Sequence, residues 1–383
     1  MTDATASPSV RSTATSGGDK PALPGTSTRR YCTLVAVVFN TALMQKLISV
    51  GIRLVQKSPA VWKRIPPLYL DETAHPATSN QDYDYPRLRE RVFDEEPRVE
   101  RWFVESPCMR RIVEVQVMLP QASGKPAPML YLLDGVTAPR RSGWLREGQL
   151  AKALATEQVT VVMPTEASGS LYEDWVADDP IVGRHQWDTF LTKELPLVME
   201  DPAQGLVFNG RRIIGGVSMG ASGAVRLAAK HPDVFHGVIG LSGCYSTTST
   251  MGRGMTLAIL RCVGAEPDNA WGSGAVPTWA RDDVTENPEG LRNMPVYLFA
   301  ADGRITHHDI DIHIGLPRID LPGAVMLEHA SFECTRELEA AMLAAGMTHQ
   351  VVEYQLGGVH AWSYYGEQLR RGWEVVYKSH NHL

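Results

Sequence analysis

The stretch that decides the fold is residues 211–223, RRIIGGVSMGASG, with Ser218 at its centre. An apolar, β-branched run reads as a buried strand up to Val217. A run of small residues then opens a helix, MGASGAVRLAAKH. Ser218 lies between Gly216 and Gly220 in the spacing G-x-S-x-G. A strand–turn–helix with that spacing presents a serine hydroxyl above a sheet edge, as a nucleophile elbow requires. The flanking glycines are expected where side chains would meet the neighbouring strand and helix. The helix N-terminus favours negative charge developing beside the serine. A structural glycine turn is the alternative.

Outward from that point, similar apolar runs recur: RRIVEVQVML (110–119), PMLYLLD (128–134), VTVVMP (159–164), HGVIGLSG (236–243), MPVYLFAA (294–301) and QVVEYQ (350–355). The first alternates polar and apolar, as in an antiparallel edge region. The later ones are nearly continuous, as buried parallel strands are. Helix-like stretches such as WDTFLTKELPLVME separate them. The pattern predicts an α/β sandwich with a mostly parallel central sheet flanked by helices, a single catalytic domain over residues 86–378.

A serine nucleophile needs a base and a carboxylate behind it, in the chain order serine, acid, histidine for this architecture. His360 lies just past the last predicted strand, in LGGVHAWSYY, where a loop brings an imidazole over the elbow. Two carboxylates compete for the acid. Asp302, in FAADG, follows the strand after the elbow unit, and position alone prefers it to Glu328, which heads a helix in VMLEHASFECTRELEAAM. The oxyanion donors are expected at the backbone N–H groups of Met219 and of Val136, just past Asp134–Gly135. Trp144, Trp175 and Trp362 are candidates for a sugar-stacking surface or a lipid wall, with core packing the alternative for the first two. The cluster THHDIDIHI (306–314) has ligand-type side chains but no second cluster to complete a site, so a solvated loop is expected, without metal or other cofactor.

The 383 residues are 44% hydrophobic and carry a net charge of −6, enough for a sizeable core. That charge is uneven. Residues 1–66 hold nine Lys or Arg against two Asp, a net +7, so the remainder carries −13. An acidic main domain lacks the footprint of a nucleic-acid binder. Five cysteines include no C-x-x-C pair. Cys244 follows a predicted strand end and Cys334 lies on a predicted helix; a Cys244–Cys334 disulfide would suit an oxidising compartment. Residues 1–28 read as disordered. Residues 29–57 hold two arginines, an apolar stretch and then Lys46, Arg53 and Lys57 on one helical stripe. They read as an export signal or membrane-associated segment, with an ordinary amphipathic core helix the alternative. Residues 58–85 read as a linker.

Several of these pieces together resemble the secreted mycolyltransferases of mycolate-bearing actinobacteria, the antigen 85 type within the α/β-hydrolase superfamily. They are YLLDG, VTVVMP followed by LYEDW, WDTFLTKELP, GGVSMGAS, AWGSGAVPTWARDDVTENPEGL and GVHAWSYYGEQL, spanning roughly residues 80–372. The resemblance implies an α/β-hydrolase fold, Ser218 as nucleophile and His360 as base. It moves the acid from Asp302 to Glu328, since the family's glutamate opens the helix before the last strand. It also implies Val136 and Met219 as oxyanion donors, with Asp134 and Trp362 near the sugar pocket. The implied reaction moves a mycolyl group from an acylated trehalose to another trehalose ester or to cell-wall arabinan; a carboxylesterase using the same triad is the alternative. Export to the cell envelope follows from the same resemblance. Thr137 stands where mycobacterial members usually have Arg, and His360-Ala361-Trp362 where they have His-Ser-Trp.

Overall fold

The computed structural model describes residues 81–272, 276–316 and 320–379. The readings made for residues 1–28, 29–57 and most of 58–85 lie outside those residues. The framework is one nine-stranded sheet in the order β1-β2-β3-β5-β4-β6-β7-β8-β9. β4 (Ala127–Leu133), β5 (Thr160–Pro164), β6 (Phe208–Val217), β7 (Val238–Leu241), β8 (Val296–Ala301) and β9 (Val351–Gln355) pair in parallel. Every residue of β4, β5, β7 and β8 is buried, which is why those runs are apolar without alternation.

The antiparallel end differs from the sequence expectation. β3 (Arg111–Met118) is indeed antiparallel, to β2 and to β5, but it is not at the edge. Two strands that sequence patterning did not pick out, β1 (Arg87–Phe93) and β2 (Val99–Ser106), extend the sheet beyond it. β1 reads RLRERVF and is largely exposed. Its charges mask its strand character, and such charges are common on edge strands, where they discourage pairing with other chains. It is held by the ladder to β2, with Arg87 and Arg89 both pairing to buried Glu105.

Alternate residues of the inner strands feed the two faces. Tyr131 and Ile214 join Phe235 and Leu227 on one side; Leu130 and Ile213 join Ile239 and Trp373 on the other. Helix α1 (Met219–Lys230) packs on the first face. Among the later helices are α2 (Thr250–Cys262), α3 (His307–Ile312), α4 (Asp320–Ala344) and α5 (Trp362–Trp373). Asp134, Ser218, Ser242 and Asp302 each follow the carboxyl end of a parallel strand, the edge of α/β sheets where ligands bind.

Candidate active site

Ser218 sits between β6 and α1 at φ 57° and ψ −121°, a left-handed conformation that costs a non-glycine residue energy and persists only where its surroundings impose it. Those surroundings are the two glycines. A Cβ on Gly216 would lie 2.4 Å from the Gly220 carbonyl carbon, inside the first turn of α1. A Cβ on Gly220 would lie 2.4 Å from the Asp134 oxygen and 2.5 Å from that of Leu133, at the end of β4. The elbow is thus wedged between its own helix and the neighbouring strand. The Ser218 N–H donates to Leu241 O at 2.9 Å, fixing the serine to the end of β7.

The loop after β4 is held by its carbonyls. Leu133 O accepts from the Trp144 indole, Asp134 O from the Tyr172 hydroxyl, Gly135 O from Ala138 N and Val136 O from Gly169 N. Among the described residues no acceptor takes the Val136 N–H. A Cβ on Gly135 would be 3.5 Å from the Ser218 Cβ, so this loop runs directly beside Ser218. The LYEDW stretch supports the same region. Tyr172 holds the loop, Glu173 takes Arg226 and Lys230 of α1, and Asp174 takes the backbone and hydroxyl of Thr189.

The candidate acid and base come from the other side. Glu328 on α4 is 1% exposed. Its Oε2 lies 2.8 Å from His360 Nδ1, and its Oε1 accepts from Ser242 Oγ and from Ala301 N, both at 2.7 Å. The Tyr365 hydroxyl approaches Oε2 at 3.5 Å, and burial beside Glu328 keeps that phenol protonated, its pKa well above the ordinary value. Ser242 was missed in the sequence. It follows Leu241, the residue that takes the Ser218 N–H, and its own φ is 53°. One strand end therefore holds the Ser218 backbone and the Glu328 carboxylate. Cys244, two residues on, is disulfide-bonded to Cys334 on α4, tying that strand end to the helix that bears Glu328. Among the described residues no hydrogen bond joins the Ser218 hydroxyl to His360, a contact that in many hydrolases tightens only when substrate binds.

A match to the model of a family described as putative esterase covers residues 106–373. The chain is 32% identical over 280 residues to the diacylglycerol acyltransferase/mycolyltransferase Ag85A of Mycobacterium leprae, covering 71% of this chain and 80% of the relative. It is 30% identical, with the same coverage, to the Ag85B of Mycobacterium avium. Among solved structures, Mycobacterium tuberculosis MPT51 superposes with a TM-score of 0.57 at 25% identity, covering 70% of this chain and 94% of that one.

The chain belongs to the antigen 85 family.

Its fold is that of the family and of more distant α/β hydrolases, such as an S-formylglutathione hydrolase from Agrobacterium tumefaciens (TM-score 0.54, 15% identity, 76% of this chain and 99% of that one). It is an enzyme of the acyltransferase–esterase class.

Other residues singled out in the sequence take different places. Trp175 is 3% exposed, its indole donating to Ser170 O and its ring set against His185. Trp144 is wholly buried. Both are core residues in this structure, not a sugar surface. Trp362 is half-buried, edge-on to Trp144, and lines a cleft of about 460 Å³ with Gln149, Lys152, Glu367 and Arg370. Asp134 is fully buried, so the sugar contact expected of it is not on offer here. Its Oδ1 accepts from Gly143 N at 3.0 Å and its Oδ2 has no partner. Burial pushes its carboxyl up to about 7. Residues 307–312 form a short helix rather than a loop, with His307, His308 and Asp311 solvent-exposed. Thr306 caps α3 through a capping box, and Asp309, wholly buried, accepts from Thr306 and from the Tyr364 hydroxyl. Among the described residues Asp302 hydrogen-bonds neither Glu328 nor His360; its Oδ1 accepts from Gly357 N.

Proposed function

We propose that this enzyme transfers a mycolyl or similar long-chain acyl group from an acylated trehalose to a hydroxyl of a second trehalose ester or of cell-wall arabinan, through an acyl-enzyme on Ser218. The observation that carries the reading is the Glu328–His360 contact of 2.8 Å behind an elbow that strains Ser218. His360 takes the Ser218 proton as Oγ adds to the ester carbonyl. Glu328, with Ser242 and Ala301 holding its other oxygen, keeps Nδ1 protonated and Nε2 free for that task, and stabilises the cationic ring. The N–H groups of Val136 and Met219 face the charge that develops on the carbonyl oxygen. His360 returns the proton to the leaving sugar oxygen. The acceptor hydroxyl then attacks the acyl-enzyme, with His360 again as base. Trp362 and its polar-rimmed cleft supply a stacking face for a sugar ring. The family supports export to the cell envelope; among the described residues no helix is long and apolar enough to cross a membrane.

Water competes for the same acyl-enzyme, and a carboxylesterase differs only in that second half. Purified protein given a trehalose monoester therefore separates the two. The diester should accumulate faster than free acid, and both products should fall by at least about 1,000-fold in Ser218→Ala. Free acid alone would make the protein an esterase.

A further inference from the structure

Asp302 stands where position alone would put the catalytic acid, yet its carboxylate is turned to another task. Asp302 Oδ1 accepts from Gly357 N at 2.9 Å and from Arg304 N at 3.0 Å. Its backbone N–H donates to Gln355 O, and Arg304 O in turn accepts from Gly358 N at 2.8 Å. Gly357 and Gly358 lead directly into Val359 and His360. Both have positive φ, 80° and 123°, so this segment needs glycine and has little intrinsic preference for the bend it adopts. It is also closely walled. A Cβ on Gly357 would lie 2.7 Å from Thr306 Cγ2, and one on Gly358 would lie 3.0 Å from Gln355 Nε2. Beyond it, His360 N donates to Ala324 O of α4. Ala301, the residue before Asp302, donates its N–H to Glu328.

Resting on the triad reading above, we propose that Asp302 is a positioning residue for His360. The end of β8 acts as a hub: Ala301 N sets the carboxylate of Glu328, and the Asp302 carboxylate sets the two-glycine bend that delivers the imidazole. Asp302 touches neither substrate nor reacting atoms. One hydrogen bond, to Gly357 N, supplies directly the stiffness that Gly357–Gly358 lacks, and the other fixes Arg304, whose carbonyl holds Gly358 N. What the clamp needs is an oxygen acceptor at this position, not a charge, because both partners are backbone N–H groups. The Arg304 guanidinium at 3.2 Å from Oδ2 is more than half exposed and adds little.

The test is hydrolysis of a short-chain p-nitrophenyl ester by the full chain and its variants, with thermal unfolding followed in parallel. Asp302→Ala should lower kcat by about 100-fold, the scale of a misplacement near 1 Å, with KM changed less than threefold. Asp302→Asn, which keeps the oxygen acceptor, should recover at least a tenth of wild-type kcat. In a His360→Ala background, Asp302→Ala should change the residual rate less than twofold, since its effect runs through the histidine. The proposal is overturned if Asp302→Ala keeps kcat within threefold, if Asn rescues no better than Ala, or if the loss persists without His360. Ser218→Ala in the same assay separates the readings. If it retains activity, the triad reading falls; if it is inactive while Asp302→Ala is not, only the positioning role falls.

Discussion

The two halves of this site are built in different ways. On the Ser218 side the Gly135 loop runs alongside at ordinary contact distance, and at the elbow itself backbone meets backbone: Gly216 against Gly220, and Gly220 against the β4 carbonyls. Those contacts leave no room for adjustment, and the residues that make them sit close to Ser218 in sequence or on an adjacent strand. On the acid–base side, side chains reach across long stretches of chain. Ser242 meets Glu328 across 86 residues and Glu328 meets His360 across 32; a disulfide spans 90 and a carboxylate clamps a glycine bend. One half is set by steric exclusion and the other by a chain of individually replaceable polar links. The first should fail abruptly and the second by degrees.

The largest effect is expected where exclusion is absolute. Gly220→Ala places a methyl against the Leu133 and Asp134 oxygens, so α1 and the end of β4 must separate. Urea denaturation should show a loss of about 1–3 kcal/mol. Ester hydrolysis should drop by at least about 100-fold, because Ser218 and the Val136 N–H part company. A variant with near-normal kcat would remove the distinction between the two halves.

On the polar side, Cys244→Ser combined with Cys334→Ser should cost about 2–4 kcal/mol of stability, the usual scale for a disulfide closing a long loop. The fall in kcat at 25 °C should be smaller than for Gly220→Ala, since Ser242 and Ala301 still hold Glu328. Equal losses of activity in the two variants would mean that the tether, not the hydrogen bonds, locates the acid.

The smallest effect sharpens the picture of the loop after β4. The Asp134 carboxyl is raised by burial from 3.8 to about 7. Between those values the folded protein keeps a proton that the unfolded chain has released, so stability falls as pH rises through that window. Asp134→Asn keeps an acceptor for Gly143 N and has nothing to ionise. Its melting temperature should exceed the wild type's by a few degrees at pH 8, with the gap closing toward pH 4. A gap that does not vary with pH would mean that the carboxyl titrates normally. Transferase activity in the same variant tells whether burial of Asp134 persists when sugar binds.

Much of the nucleophile half was legible because its determinants are local. An apolar run, a serine between glycines and a small-residue helix leave few other conformations, and glycine records close backbone approach directly in the sequence. The continuous apolar runs likewise announced buried parallel strands. β1 escaped because an exposed, charge-bearing edge carries no apolar signature. The helix at 307–312 escaped because a single ligand-like residue, Asp309, caps and docks it through Thr306 and Tyr364.

The amino-acid sequence by itself determined the sheet class, the elbow at Ser218 and the loop histidine at 360, since each depends on neighbours within a few residues. Between the two carboxylates, position alone preferred Asp302 and the family resemblance moved the expectation to Glu328; the tertiary structure supplies the physical reason for that second reading. Asp302 and Glu328 are both acids beside the last strands, and nothing local marks which one turns to the imidazole. That choice rests on where α4 docks, with Ser242 and Ala301 N waiting for one oxygen of Glu328 and His360 for the other, while Asp302 is drawn off to the backbone of Gly357. A carboxylate has only two oxygens, and the folded chain determines which donors reach them.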